Sequence, residues 1–286
     1  MDQTTPVLTQ YSGVCNARRK RSGKIKIGVH SKSNSAVKIL ITVLLGLTVY
    51  AFISFDYKEI VLGEAIAATL RNVKTVFLEP KLSTDTFKNV MYQLFLTFCL
   101  GTLSTIFGAI AAFFCSLLCA KNTAPSGVAN AVKCVIALIR AVPTVLWVLI
   151  FAVSAGLGSV AAVIGLTFHS FAYLTKVYAE SIEEIDDGTI EALRASGAGF
   201  WQIVFQAIVP ASLSRMVAWT FMRFEINFPN AIAVGAAAGA GGIGFNLYMA
   251  GSFYFNLHEM GILTYIVVIA VVMLEMFSTK IKERVK

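Results

Sequence analysis

Long uncharged stretches alternate with short charged ones along this chain, and their lengths decide which of them can cross a bilayer. Ile39 to Phe55 carries no charge over 17 residues, the short end of what spans about 30 Å of hydrocarbon. Asn89 to Ala120 is uncharged for 32 residues, which predicts a tilted helix or an external turn at its start. After the loop signal Asn122 to Gly127, Val128 to Ile139 returns toward the membrane, punctuated by Arg140 and Pro143. Ala141 to Thr175 holds 35 uncharged residues, about 52 Å as one helix at 1.5 Å per residue, so it must fold back. Gly156-Leu-Gly158-Ser159 is the place for that turn. Met216 to Ala238 and Met260 to Thr279 complete six predicted spans.

The polar stretches orient the spans. Met1 to Lys38 holds Arg18, Arg19, Lys20, Arg21, Lys24, Lys26, Lys32 and Lys38 against Asp2 alone. A basic segment beside an apolar run marks the cytoplasmic side. It has no hydrophobic period, so residues 1–38 are expected to be a disordered tail. Its length, with no small-residue cleavage site after Phe55, makes the first span an anchor rather than a leader. Asp56 to Lys88 balances its charges and is expected to form an external loop, giving a 39–88 unit of first span plus loop ahead of a main body at 89–286. Lys280, Lys282, Arg284 and Lys286 return the other end to the cytoplasm. Glu180 to Arg215 is then a long cytoplasmic loop with an acidic cluster from Glu180 to Glu191.

Composition agrees with an all-α integral membrane protein. The 286 residues are 57% hydrophobic and 14% charged, against about a quarter charged in soluble domains. The basic tail lacks interleaved aromatics, which argues against nucleic acid and leaves lipid as its neighbour. The five cysteines show no CxxC spacing, and His30, His169 and His258 have no second ligand at helical spacing, so no metal site and no catalytic residue is expected. Gly239-Ala-Gly241-Gly-Ile-Gly244 spells GxGxxG but follows a membrane span, where it reads as a close-packed external hairpin. There is no GxxxxGK[ST], so any ATP and Mg belong to another chain.

Charges inside spans are costly and therefore usually functional or paired, which singles out Arg140, Arg223 and Glu225, with Asn227 beside them. Arg223 and Glu225 are two apart and face different ways, so each needs a partner on another helix. An ion pair between spans is one reading of them, and a cationic lining for an oxyanion path is the other.

In the cytoplasmic loop, Glu191-Ala192-Leu-Arg-Ala-Ser-Gly197 is followed after nine residues by Ala207-Ile-Val-Pro210. This resembles the Glu-Ala-Ala, three residues, Gly, nine residues, Ile-x-Leu-Pro signature of permease subunits of ABC importers, with departures at Leu193, Ala207 and Val209. The turn at Gly197 and the apolar Phe200, Trp201, Ile203 and Phe205 suit a knob that docks on another protein. The resemblance covers roughly Lys88 to Lys286. Arg140-Ala-Val-Pro143, Gly156-Leu-Gly158, Arg223-Phe-Glu225 and Gly239 to Phe245 are similar to the phosphonate branch, although the basic residue usual at Phe228-Pro229-Asn230 is absent.

The resemblance implies a six-span type I ABC importer transmembrane domain in a bacterial inner membrane. It further implies a second permease copy, two cytoplasmic ATPase subunits docked on the 180–215 loop, and a periplasmic substrate-binding protein. The implied substrate is phosphonate or a related oxyanion such as phosphite or phosphate. A permease for an amino acid, or a membrane sensor, are the alternatives.

Overall fold

The computed structural model describes residues 15–19, 25–29, 32–54 and 61–285. The chain divides into two units, Met1–Ile66 and Ala67–Lys286. In the first, β1 (Cys15–Arg19) and β2 (Ile25–Val29) pair antiparallel with Cys15 opposite Val29. The expectation of a structureless tail therefore fails for these ten residues, where β-branched Ile25, Ile27 and Val29 alternate with smaller or polar neighbours. The rest of that segment up to His30 and Ser31 lies outside the described residues. Helix α1 (Lys32–Ser54) is apolar all round and exposed throughout Ser35–Ser54, the surface of a helix that meets lipid.

The expected external loop contains a helix. In α2 (Leu62–Leu78), Ile66, Leu70, Val73 and Phe77 recur at spacings of four and three. Balanced charges at Glu64, Arg71 and Lys74 sit between them and hide the period when only net charge is read. Its end rests on α11 (Leu257–Val285): Tyr265 donates its hydroxyl to the Phe77 carbonyl at 2.7 Å, and the two rings meet edge to face.

The spans are α1, α3 (Phe87–Cys119), α6 (Ser159–Glu183), the continuous helical run Phe200–Ala238 and α11. That gives five among the described residues, or six when the bent pair α4 (Ser126–Ala141) and α5 (Thr144–Ala155) counts as one. The pair turns by 89° at Val142–Pro143, because Pro143 lacks the N–H that would continue the ladder. The fold-back falls at Gly156 and Gly158, as the excess length required.

Two expected boundaries shift. Helix α6 runs past Thr175 to Glu183, and Phe200–Ala238 has no break at Arg215, so only residues 184–199 form the connection between them. Charge placed those boundaries too early, because helices leave the membrane with charged turns intact. Lys176 pairs with Glu180 one turn on, and Arg215 pairs with Glu184 while donating to the Ser181 carbonyl. Within that run, α8 (Phe200–Ile203) leads through a wide π turn at Val204–Ile208 into α9 (Val209–Ala238), with Pro210 just past the turn.

Small residues let α3, α5, α6 and α9 approach closely. A Cβ on Gly165 of α6 would lie 2.7 Å from the backbone of Val148 on α5, so only glycine fits there. Hydroxyls on α3 bond back to their own helix, as Thr105 does to the Gly101 carbonyl at 2.7 Å, and so enter the apolar layer without loose donors. The glycine-rich segment turns out of α9 and starts α10 (Gly242–Tyr248), whose first N–H groups at Gly242 and Ile243 are taken by Gln93 and Thr97 of α3 at 3.0 Å each. A second π turn, Met249–Phe253, leads toward α11. At its start, Glu259 is buried and accepts the N–H groups of Thr84 and Asp85 at 3.0 and 2.7 Å, tying the segment before α3 to α11.

Candidate functional site

Of the intramembrane residues singled out by charge, Arg140 of α4 and Arg223 and Asn227 of α9 gather around side chains of α6 and α3. Arg223 of α9 is 2% exposed. Its Nε donates to Ser170 Oγ of α6 at 3.0 Å and its Nη2 lies 2.9 Å from His169 Nδ1. A guanidinium can only donate, so Nδ1 is the acceptor and the neutral ring keeps its proton on Nε2. One turn along α9, fully buried Asn227 donates to Ser170 Oγ and to Thr105 Oγ1 of α3, both at 2.8 Å. The Tyr173 ring has the guanidinium carbon of Arg223 at 5.2 Å and that of Arg140, from the end of α4, at 5.8 Å.

Arg223 and Glu225 do face different partners. Glu225 binds Lys282 Nζ of α11 at 2.9 Å, an ion pair between helices. Neither Arg223 nor Arg140 has a carboxylate partner among the described residues. Glu225 makes an ion pair between helices, and the two arginines form a cationic cluster that π density and neutral hydroxyls only partly compensate. His169, Ser170 and Tyr173 were not singled out in the sequence. The available signal is that His169 and Tyr173 lie four apart and so share one helical face.

In the loop expected to be cytoplasmic, α7 (Asp187–Ala195) carries Glu191 and Ala192 on its surface, above Ile190, which is buried in the core. The helix ends at Gly197 with φ +83°, in the left-handed region, and Ala198 N–H returns to the Leu193 carbonyl at 3.0 Å. Gln202 then accepts the Gly199 N–H at 2.7 Å to begin α8. Phe200, Trp201 and Phe205 stand exposed, Trp201 stacked on Phe205 with ring centroids 6.0 Å apart. Ile203, expected among these outward anchors, is instead buried against the protein's own core. Pro210 is exposed at the start of α9. Arg194 donates to the Asn122 carbonyl at 3.2 Å, linking α7 to the turn between α3 and α4. Asp186, Asp187 and Glu191 leave an exposed acidic rim.

Residues 112–281 match the family described as the inner membrane component of binding-protein-dependent transport systems. The chain is 36% identical over 152 residues to the phosphate-import permease protein PhnE of Mycolicibacterium smegmatis, covering 53% of this chain and 28% of that one. It is 29% identical over 185 residues to the phosphite transport system permease protein PtxC of Stutzerimonas stutzeri, covering 64% of this chain and 65% of that one. It thus spans less than two thirds of the length of either relative. Among solved structures, a chain of the MetNI methionine ABC transporter in an inward-facing conformation superposes with a TM-score of 0.63 at 24% identity, over 72% of this chain and all of that one. This last likeness concerns the fold.

Proposed function

The chain belongs to the family of binding-protein-dependent transport system inner membrane components, and from that premise we propose that it is the permease subunit of an ATP-driven importer for phosphonate or a related phosphorus oxyanion. The observation that carries the substrate class is the pair of arginines sharing Tyr173 without a carboxylate. Two fixed cations in a medium of low dielectric attract an oxyanion strongly, and hydroxyls nearby can follow its other oxygens. The relatives named for phosphate and phosphite support the same class.

In this reading the permease pairs with a second copy, receives substrate from a periplasmic binding protein and rests on two cytoplasmic ATPases, which bind the ATP and Mg. Both termini and the α7 corner lie in the cytoplasm of an inner-membrane, multi-pass protein. The exposed surface at Glu191, Ala192, Gly197, Phe200 and Trp201 is the docking face, and Pro210 anchors the helix that carries motion inward. Closure of the ATPases displaces α7, and the bundle alternates between outward and inward access. A zwitterionic amino acid would bring its ammonium as well as its carboxylate to the same two guanidiniums, which favours the oxyanion reading.

The test is uptake by the complete complex in proteoliposomes. Arg140→Gln and Arg223→Gln should each cut methylphosphonate uptake by about tenfold or more, the scale of losing one hydrogen bond to a charged group. Undiminished uptake by both variants in an intact complex would overturn the oxyanion path.

A further inference from the structure

The polar seam continues below Tyr173. His169, Tyr173, Lys176, Glu180 and Glu183 recur on α6 at spacings of four and three, and so share one stripe of that helix. Lys133, Ala137 and Arg140 do the same on α4. Between these stripes, with Cys119 of α3, lies a cavity of about 230 Å³. Lys133 Nζ is 2.7 Å from Glu183 and Lys176 Nζ is 3.4 Å from Glu180, while Arg140 adds a third cation with no carboxylate of its own among the described residues. Glu183 has a second donor, the N–H of Lys121 at 2.9 Å.

We infer that this cavity is a second station for the phosphorus oxyanion, on the cytoplasmic side of Tyr173, in which the substrate replaces Glu183 and Glu180 as the partner of Lys133 and Lys176. The inference rests on the oxyanion reading of Arg140 and Arg223. Three cations face two carboxylates, so the empty cavity keeps one excess positive charge, that of Arg140, and Lys133 and Lys176 reach an anion only by exchanging partners. Glu183 keeps the Lys121 N–H when Lys133 turns away, and Glu180, about half exposed, turns to solvent, so the exchange strands neither carboxylate. Re-forming the two ion pairs expels the anion toward the cytoplasm. A conduction path needs such a site, attractive enough to enter and weak enough to leave. The same cation set would also accept the phosphate of an anionic lipid headgroup, which shares the oxyanion chemistry.

The experiment uses the complete complex in nanodiscs, with Ala137→Cys at the cavity wall in a chain whose other cysteines are serine. Labelling by a small methanethiosulfonate is followed with and without methylphosphonate. Protection of several-fold is expected in purely zwitterionic lipid. It should vanish in Lys133→Gln and Lys176→Gln and return in Lys133→Arg. Absence of protection in zwitterionic lipid overturns the station, as does protection that persists in both glutamine variants. Protection that requires phosphatidylglycerol and ignores methylphosphonate assigns the cavity to lipid and also overturns it. Arg223→Gln separates the two claims: normal uptake in that variant and in Arg140→Gln defeats the path through Tyr173, whereas lost uptake with Lys133-dependent protection intact leaves both standing.

Discussion

Trp147 donates its indole N–H to the carbonyl of Ile139 at 3.0 Å. Residue 143 would have bonded that same carbonyl had it not been proline, since an α-helix links each N–H to the carbonyl four residues back. The side chain four residues past the break thus supplies the donor that the break removes. This is how a right-angled bend survives where water is scarce. Packing of Trp147 on Phe168, with centroids 4.6 Å apart, fixes the indole in place.

Trp147→Phe keeps an aromatic ring against Phe168 while removing the donor and part of the ring volume. Its expected cost is about 1 kcal/mol, the usual scale for a hydrogen bond within the membrane. Thermal unfolding of the purified protein should show a lower midpoint. An unchanged midpoint, together with unchanged amide exchange at Ile139 to Thr144, would show that the carbonyl finds another donor.

Glu259 offers a sharper stability test. Replacing it by Leu leaves the Thr84 and Asp85 N–H groups without their acceptor in a partly buried site, at about 1 kcal/mol for each. Gln keeps a carbonyl oxygen and should cost less. Both variants should loosen the segment before α3, read as faster proteolysis or exchange near Ser83, and equal behaviour of Leu, Gln and wild type would refute the tie.

At Gly197 the space beyond the Cα is open, so a side chain meets no atom of this chain. Any penalty therefore comes from the positive φ, about 1 to 2 kcal/mol for an ordinary residue and less for Asn. Gly197→Asn should retain most transport, whereas Gly197→Asp and Gly197→Val should insert normally yet lose substrate-stimulated ATP hydrolysis in the reconstituted complex. Glu191→Lys should uncouple by charge alone. Normal coupling in Gly197→Val and Glu191→Lys would place the ATPase contact elsewhere.

Topology can be read with introduced cysteines. A cysteine at Ser83 should react with an impermeant reagent in intact spheroplasts, and one at Ser196 only after permeabilisation. Ser181 is unsuitable for the cytoplasmic probe because it is buried, 2% exposed, and would stay silent on either side. The reverse pattern at Ser83 and Ser196 would invert the orientation.

The spans were legible because charge is costly in lipid, so long uncharged runs mark membrane and Gly156 marks the return. Helix continuity was not legible from the same signal. Arg215 looks like a loop residue until its pairing with Glu184 is known, and α2 hides behind a neutral charge sum. Arg223, Glu225 and Asn227 announced themselves as polar residues in a span. Their partners did not, since His169 and Ser170 lie more than fifty positions away and only packing of α6 on α9 brings them near. The α7 corner was visible through Gly197 and its spacing to Pro210, but that Ile203 turns inward depends on helical phase across the π turn.

Ser170 has one hydroxyl hydrogen and two lone pairs, and all three are engaged. It donates to the Leu166 carbonyl at 2.6 Å and receives Arg223 Nε and Asn227 Nδ2. Asn227 Oδ1, at 3.2 Å, is a second acceptor for the same hydrogen, but neither lone pair is free for a new donor, so a slide of α9 along α6 must give up the incoming bonds before others form. The two helices are therefore expected to move as a ratchet, resting in registers about one turn, or 5.4 Å, apart rather than drifting between them.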